Sequence, residues 1–161
     1  MKRHQNGFTL IEITAVLVMM AIISAYVIGR SINTGQIDLA GQTDKIRNQI
    51  RYAQSTAMKR SDAIWGITSD TNQYWMFRTN TGTPELLPGE QNVQITLSDL
   101  GIDSMAPAFT LFFDRIGKPH TTYIDEGNPG NVSLNSNLVI TVSAGGESRT
   151  ITVIPETGLV Q

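Results

Sequence analysis

The stretch that decides the fold is GFTLIEITAVLVMMAIISAYVIG, from Gly7 to Gly29. Within it, residues 8–28 form an apolar run whose only interruptions are Thr9, Glu12, Thr14 and Ser24. As a helix this run is about 31 Å long, which is enough to cross the hydrocarbon core of a membrane. The sequence therefore predicts a transmembrane helix over residues 8–29, with one carboxylate near its start.

Basic residues lie on both sides of this stretch and none lies inside it. Lys2 and Arg3 precede it, and the next basic residue is Arg30. Because positively charged flanks stay on the cytoplasmic side of a membrane, we expect the N-terminus to be cytoplasmic. The rest of the chain then lies across the inner membrane, as a single-pass protein with a periplasmic domain.

Two ordinary explanations compete for this segment. A cleaved secretory signal has a shorter apolar region that ends in small residues, whereas this one is long and contains Glu12. A plain single-span anchor accounts for the length and leaves Glu12 unexplained, because an ionisable group inside a bilayer is costly. Both explanations stay open on composition alone.

The first twelve residues, MKRHQNGFTLIE, resemble the leader and mature start of a type IV prepilin. In that family a short basic leader ends in glycine, and the mature chain begins with phenylalanine and has glutamate as its fifth residue. The resemblance implies that residues 1–7 are a leader peptide. It also implies that prepilin peptidase cuts between Gly7 and Phe8 and methylates the Phe8 amine.

The same resemblance gives Glu12 an assembly role. Cleavage leaves an α-amine on Phe8 that is cationic at neutral pH. In a helical stack of subunits this amine can approach Glu12 of a neighbour, and two buried opposite charges then satisfy each other. Glu12 would fix the register between subunits, as single polar residues do in coiled coils.

Residues 30–61 are predicted to be an amphipathic continuation of the helix. Apolar or small residues recur at spacings of 3 and 4, which places them on one helical face: Leu39, Thr43, Ile46, Ile50, Ala53 and Ala57. We expect this face to pack on a sheet of the same domain. Gly29 and Gly35 are points where the helix could bend.

Residues 62–161 read as short strands separated by turns, since all six prolines fall at or after Pro84. Predicted strands are 63–68, 73–78, 93–97 and 109–114, and Gly145-Gly146 marks the turn of a hairpin over 138–154. The expected fold is therefore α+β, with a long N-terminal helix packed on an antiparallel sheet, in a pilin-like arrangement.

This region also resembles the GspH/FimT family of minor pseudopilins and minor pilins. The resemblance is carried by IRNQIRYAQSTAMKRSDAIWGI, LFFDRIGKP and RTITVIPETGLVQ. It implies a minor pseudopilin of type II secretion, or a minor pilin that primes type IV pilus assembly. The implied partners are other pilins or pseudopilins, prepilin peptidase, an inner-membrane assembly platform and membrane lipid. A membrane-tethered binding module for exported substrate or DNA is the alternative of a different class.

Charge argues against nucleic acid as a partner. Residues 38–60 have a net charge of +3. Residues 61–161 carry four basic and eleven acidic side chains, which gives a net charge of −7. Such a domain repels a phosphate backbone. Some FimT-like pilins bind DNA through basic residues near the C-terminus, but here ESRTITVIPETGLVQ has one arginine and two glutamates.

The remaining candidate residues have ordinary explanations. His120 has no second histidine outside the leader, so we expect no metal triad. Asp125 and Glu126 in DEGNPG could bind calcium, although these are also common turn residues. Asn131 begins an N-x-S sequon. No phosphate loop, metal motif or Ser/His/Asp set is apparent in the sequence, and we expect neither a cofactor nor an enzymatic activity.

Overall fold

The computed structural model describes residues 9–30, 34–60 and 62–161. The chain divides into two units, Met1–Gly35 and Gln36–Gln161. Helix α1 (Leu10–Arg30) belongs to the first unit, and nearly all of helix α2 (Thr34–Lys59) belongs to the second. The predicted continuation of one helix into the other passes through residues 31–33, which lie outside the described residues.

Helix α1 covers most of the segment that the sequence predicts to cross a membrane. The expected transmembrane helix over residues 8–29 is nevertheless not found. Across residues 9–30, 34–60 and 62–161, no helix combines the length and the apolar character that crossing a membrane requires.

The second unit adds ten described strands to α2. They are β1 (Trp65–Ser69), β2 (Gln73–Arg78), β3 (Pro84–Glu85), β4 (Ile95–Thr96), β5 (Ser104–Ala106), β6 (Phe109–Phe113), β7 (Pro119–Thr122), β8 (Val132–Ser133), β9 (Leu138–Ala144) and β10 (Glu147–Val153). A larger sheet has the order β3-β2-β1-β6-β7-β8, with β4 also on β2, and a smaller sheet has the order β10-β9-β5. Every pairing is antiparallel, so the predicted α+β class is confirmed, with two sheets where one was expected.

The predicted strands agree with the structure to different degrees. The strand at 73–78 and the hairpin are confirmed, and Gly145 and Gly146 both have positive φ, 57° and 82°. The strand predicted at 63–68 is Trp65–Ser69, and the one predicted at 109–114 ends at Phe113. The prediction for 93–97 was too long, because only Ile95–Thr96 pairs with β2.

The predicted stripe on α2 is the helical side of the core. All six of its members are buried: Leu39, Thr43, Ile46, Ile50, Ala53 and Ala57. Thr43 is accommodated there because its hydroxyl donates a 2.7 Å hydrogen bond to the Leu39 carbonyl one turn earlier. The five apolar members of the stripe belong to one buried cluster with residues of both sheets, among them Ile67, Leu111, Ile140 and Ile151.

Gly66 lies on β1, between the neighbouring strands β2 and β6 of the larger sheet, where there is no room for a side chain. A Cβ atom at this position would lie 2.3 Å from Cζ of Phe77 and 2.4 Å from the Leu111 carbonyl oxygen. Both distances are shorter than a carbon atom tolerates, and one of the two partners is backbone. The ring of Phe77, which is fully buried, occupies the space that a side chain at residue 66 would need.

The C-terminal residues 160 and 161 pair with the outer side of β10 in the smaller sheet. Thr152 and Gln161 exchange two main-chain hydrogen bonds of 2.9 Å each, and Val153 and Val160 form a bridge. Val160 is completely buried. The Arg51 guanidinium on α2 donates to the Val160 carbonyl at 2.6 Å and 3.2 Å, so the helix is tied to this terminal segment.

Candidate functional site

The described side chains of α1, residues 10–24, are all exposed to solvent. Its large apolar residues are between 49% and 84% exposed, and they are Leu10, Ile11, Ile13, Val16, Leu17, Val18, Met19, Met20, Ile22 and Ile23. Isolated soluble proteins rarely expose a continuous apolar surface of this size, so such a surface marks a contact with protein or lipid.

Glu12 lies in the first turn of this apolar helix. Its backbone N–H donates to the Thr9 carbonyl at 3.1 Å and to the Thr9 hydroxyl at 3.4 Å, so Thr9 caps the start of the helix. Within the described part of the chain, the Glu12 carboxylate has no ion-pair partner. If the surface of α1 is covered, this charge needs a partner from another molecule.

The other predicted processing residues cannot be placed. The leader, residues 1–7, and the predicted first mature residue, Phe8, lie outside the described residues, and so does the predicted cut after Gly7. The described geometry therefore gives the position of Glu12 relative to the helix start, and not its distance from the Phe8 amine.

Comparison with known families supplies the deciding observation. The family model of the prokaryotic N-terminal methylation motif matches residues 2–28. The chain carries a prepilin-type methylation motif. This motif supports a pilin- or pseudopilin-type protein, and it implies processing by prepilin peptidase and assembly with other pilins. The match ends before α2, so it does not resolve the GspH/FimT branch. No curated protein and no solved structure matches the chain.

A buried polar network joins α2 to the larger sheet and was not predicted. The Tyr74 hydroxyl donates to Oε1 of Gln49 at 2.6 Å, and Nε2 of Gln49 donates to Oε1 of Glu90 at 2.6 Å. Lys45 forms an ion pair of 2.7 Å with the same Glu90 oxygen. Burial, with the nearby Glu90 charge, raises the pKa of Tyr74 well above its usual range. The tyrosine therefore remains a neutral donor.

The structure brings together a serine, a histidine and an aspartate that the sequence gave no reason to combine. Nε2 of His120 lies 3.1 Å from Oδ2 of Asp114, and Nδ1 lies 3.4 Å from the Ser133 hydroxyl. The three residues follow or lie on β6, β7 and β8, which are neighbours in the larger sheet. Only the register of three strands puts them in contact, so spacing along the chain could not have revealed them.

The contacts of this cluster are typical of residues that stabilise the fold. Oδ1 of Asp114 accepts hydrogen bonds from the N–H groups of Ile116 and Lys118, at 3.0 Å and 2.8 Å, which fixes the carboxylate in its turn. His120 is only 7% exposed. A cavity beside the cluster is lined by Asp114 but by neither His120 nor Ser133. The cluster therefore ties three neighbouring strands together.

That cavity lies beside the Asp125–Glu126 loop and has a volume of about 180 Å³. Glu126 is paired with Arg115 at 3.0 Å, and the Asp125 carbonyl accepts from Nδ2 of Asn131 at 2.7 Å. Burial raises the pKa of Tyr123 in its wall, and the Asp114 carboxylate raises it further. Among the described residues, no group of three or more His, Asp or Glu side chains is placed to hold a metal ion.

Basic side chains of the second unit are mostly engaged within it. Ion pairs join basic to acidic residues at 2.7–3.2 Å in Lys45–Glu90, Lys118–Glu156, Arg115–Glu126 and Arg78–Asp62. The guanidinium of Arg60 lies 5.4 Å from the centre of the Trp65 ring.

Proposed function

We propose that this chain is a structural, non-enzymatic subunit of a type IV filament system, assembled through its N-terminal helix. The observation that carries the proposal is the methylation motif at residues 2–28. The exposed apolar surface of α1, which bears a single unpaired carboxylate in its described part, supports it independently.

The proposed sequence of events begins at the membrane. Lipid covers the exposed apolar side chains of α1, and prepilin peptidase cuts after Gly7 and methylates the new amine. An assembly platform in the inner membrane then adds the processed subunit to a filament. The helices of neighbouring subunits replace lipid around α1, and Glu12 receives the cationic Phe8 amine of a neighbour.

The charge pairing gives assembly a direction and a register. An uncompensated carboxylate inside an apolar helix stack costs several kcal/mol, whereas a paired one is tolerated. A subunit displaced by one helical turn would bury both charges without partners. Removal of one polar residue is therefore expected to affect assembly more than it affects membrane residence.

We propose further that the filament is the periplasmic pseudopilus of type II secretion and that this chain is a minor subunit of it. The support is the resemblance of residues 46–67, 111–119 and 149–161 to GspH/FimT-type proteins. The absence of cysteine also favours a minor subunit, since many major pilins close a loop with paired cysteines. A minor pilin that primes a type IV pilus is the second candidate.

Deletion of the gene tests both candidates in one strain. A pseudopilin deletion should abolish release of exported enzymes and leave surface pili and twitching motility intact. A minor pilin deletion should have the reverse effect. Complementation by the wild-type chain and not by Gly7→Val, which blocks processing, is the matched control. Full function of the Gly7→Val chain would contradict the filament role altogether.

A further inference from the structure

Met58 differs from the other methionines of the second unit in its access to solvent. Its side chain is 53% exposed near the end of α2, whereas Met76 and Met105 are each 3% exposed within the core. Residues 36–161 contain no further methionine. An oxidant must reach the sulfur atom to convert a methionine to its sulfoxide. Met58 is therefore the methionine of this unit that is open to oxidation.

The Met58 side chain lies beside a junction held by Gln54, one turn earlier on α2. Nε2 of Gln54 donates to the carbonyl oxygen of Gly117 at 2.8 Å and to that of Thr157 at 3.0 Å. A side-chain amide has two N–H donors, so both are in use. Gln54 thereby fastens two surface turns to the helix, the turn between β6 and β7 and the turn that follows β10.

Met58 and Gln54 border the same small space above the first of these turns. A Cβ atom on Gly117 would lie 3.0 Å from Sδ of Met58 and 3.1 Å from Nε2 of Gln54. The sulfur and the amide nitrogen are therefore close neighbours. A thioether sulfur is a weak acceptor, so in its reduced form it does not compete with the two carbonyls for the amide hydrogens.

We propose that Met58 is an oxidation site, and that its sulfoxide detaches Gln54 from the turn that follows β10. The oxidant is hydrogen peroxide. Its O–O bond breaks, one oxygen forms a bond to the Met58 sulfur, and the other oxygen leaves as water with both protons. The sulfur loses two electrons and the peroxide gains them.

The sulfoxide oxygen changes the competition for the Gln54 amide. It is a polar acceptor in place of a weak one. Because both amide hydrogens are in use, the new acceptor can bind one only by displacing a carbonyl. The bond to Thr157 is the longer of the two and lies at the exposed surface, whereas the bond to Gly117 is partly buried. Thr157 is therefore the acceptor that loses its donor.

Loss of this bond loosens the turn over residues 154–158. Two main-chain hydrogen bonds remain within it, from the Gly158 N–H to the Ile154 carbonyl at 2.8 Å and from the Ile154 N–H to the Leu159 carbonyl at 2.9 Å. Main-chain bonds in a surface turn open locally without unfolding of the domain. The turn is therefore expected to open more often after oxidation. This proposal does not depend on the proposed filament role.

Peptide mapping of the full-length chain in membranes tests the oxidation site. After brief treatment with hydrogen peroxide, we expect Met58 to be oxidised at least about tenfold faster than Met76 and Met105, because the buried sulfurs are shielded. Hydrogen exchange of the same sample tests the consequence. Exchange in residues 154–161 should become about threefold faster or more, whereas exchange in β9 (Leu138–Ala144) should not change.

Two substitutions separate the effect of the sulfoxide from general oxidative damage. Met58→Leu keeps an apolar side chain that peroxide does not oxidise, so peroxide should not change exchange in residues 154–161. Gln54→Ala removes the amide, so exchange there should be faster before treatment and should not rise further after it. The proposal would be overturned by equal oxidation rates of the three methionines or by oxidation of Met58 without faster exchange in residues 154–161. A peroxide effect that persists in either variant would also overturn it.

Discussion

Tyr74 and Gln49 connect the larger sheet to helix α2 through a 2.6 Å hydrogen bond between two buried side chains. The bond is the first link of a chain that runs on to Glu90 and Lys45. Both the oxygen and the nitrogen of the Gln49 side-chain amide are hydrogen-bonded. The network therefore fixes which face of α2 packs against the larger sheet.

Tyr74→Phe should destabilise the domain by about 1–3 kcal/mol, because the buried Oε1 of Gln49 loses its donor. Tyr52→Phe is the control, since Tyr52 lies on α2 and is 41% exposed, and it should change stability by less than about 0.5 kcal/mol. Urea unfolding of residues 30–161, followed by circular dichroism, measures both. Equal effects would remove the network from the list of stabilising features.

The same tyrosine predicts a pH dependence. Its pKa is raised in the folded state, so the folded protein holds a proton that the unfolded chain releases above about pH 10. Stability from this group is present below that pH and falls as pH rises further. The unfolding free energy of wild type should therefore decline more steeply between pH 10 and 11 than that of Tyr74→Phe. If the unfolding free energies of wild type and Tyr74→Phe fell equally between pH 10 and 11, the Tyr74 hydroxyl would not be buried and neutral.

Gly66→Ala should destabilise the domain by about 1–3 kcal/mol through overpacking. The added carbon meets the Phe77 ring and the Leu111 carbonyl, and the carbonyl cannot move without distorting β6. Gly41→Ala is the matched control, because nothing lies within 4 Å of its Cβ position. As a helical position it should gain about 0.5–1 kcal/mol. The midpoint temperature of thermal unfolding should therefore fall for Gly66→Ala and rise for Gly41→Ala.

Processing can be checked by intact-mass analysis of the membrane fraction. Removal of residues 1–7 from the 161-residue chain leaves 154 residues, with one methyl group on the Phe8 amine. Gly7→Ala should slow the cut and Gly7→Val should block it. A native chain that still begins at Met1, or one cut near Ser24, would remove the pilin assignment.

Glu12→Ala should separate assembly from insertion. Loss of a costly charge should leave membrane abundance equal to or above that of wild type, and the cut after Gly7 should be normal. Crosslinking to partner pilins should fall sharply, because the incoming amine finds no carboxylate. Glu12→Gln keeps an acceptor without the charge and should be intermediate or defective. Normal crosslinking of Glu12→Ala would contradict the pairing mechanism.

Residues 30–161 should fold as a soluble domain and bind duplex DNA weakly or not at all. The buried stripe of α2 is covered by its own sheets, and the −7 balance of residues 61–161 repels phosphate. Fluorescence anisotropy with a labelled duplex at physiological salt measures the affinity. A submicromolar dissociation constant would revive the DNA-uptake alternative.

Periodicity predicted the parts of the fold that depend on local sequence. The spacing from Leu39 to Ala57 identified the buried face of α2, and Gly145-Gly146 identified the hairpin, because helical and two-residue periods are read directly along the chain. The split into two sheets and the shortness of β4 depend on which strands pair. That choice is made by long-range packing and leaves no local signal.

Polar contacts were less predictable for the same reason. Gln49 is a polar residue between exposed Asn48 and buried Ile50, and it lies outside the apolar stripe, so nothing local distinguishes it as a buried residue. His120, Asp114 and Ser133 meet only after three strands have aligned. Glu12 was identifiable because it is an ionisable residue in an apolar run, which is a composition signal that needs no tertiary structure.

The tie between Arg51 and the Val160 carbonyl spans 109 positions of the chain. Ribosomes make residue 51 long before residue 160. For most of synthesis, the residues of α2 are therefore present without the terminal segment around Val160 that packs against them. Contacts of such sequence separation slow folding, because a long loop must close before they form. The emerging chain therefore spends an interval with the Ile46–Ile50–Ala53 face unprotected. In that interval this face is the natural target for a chaperone that prevents aggregation.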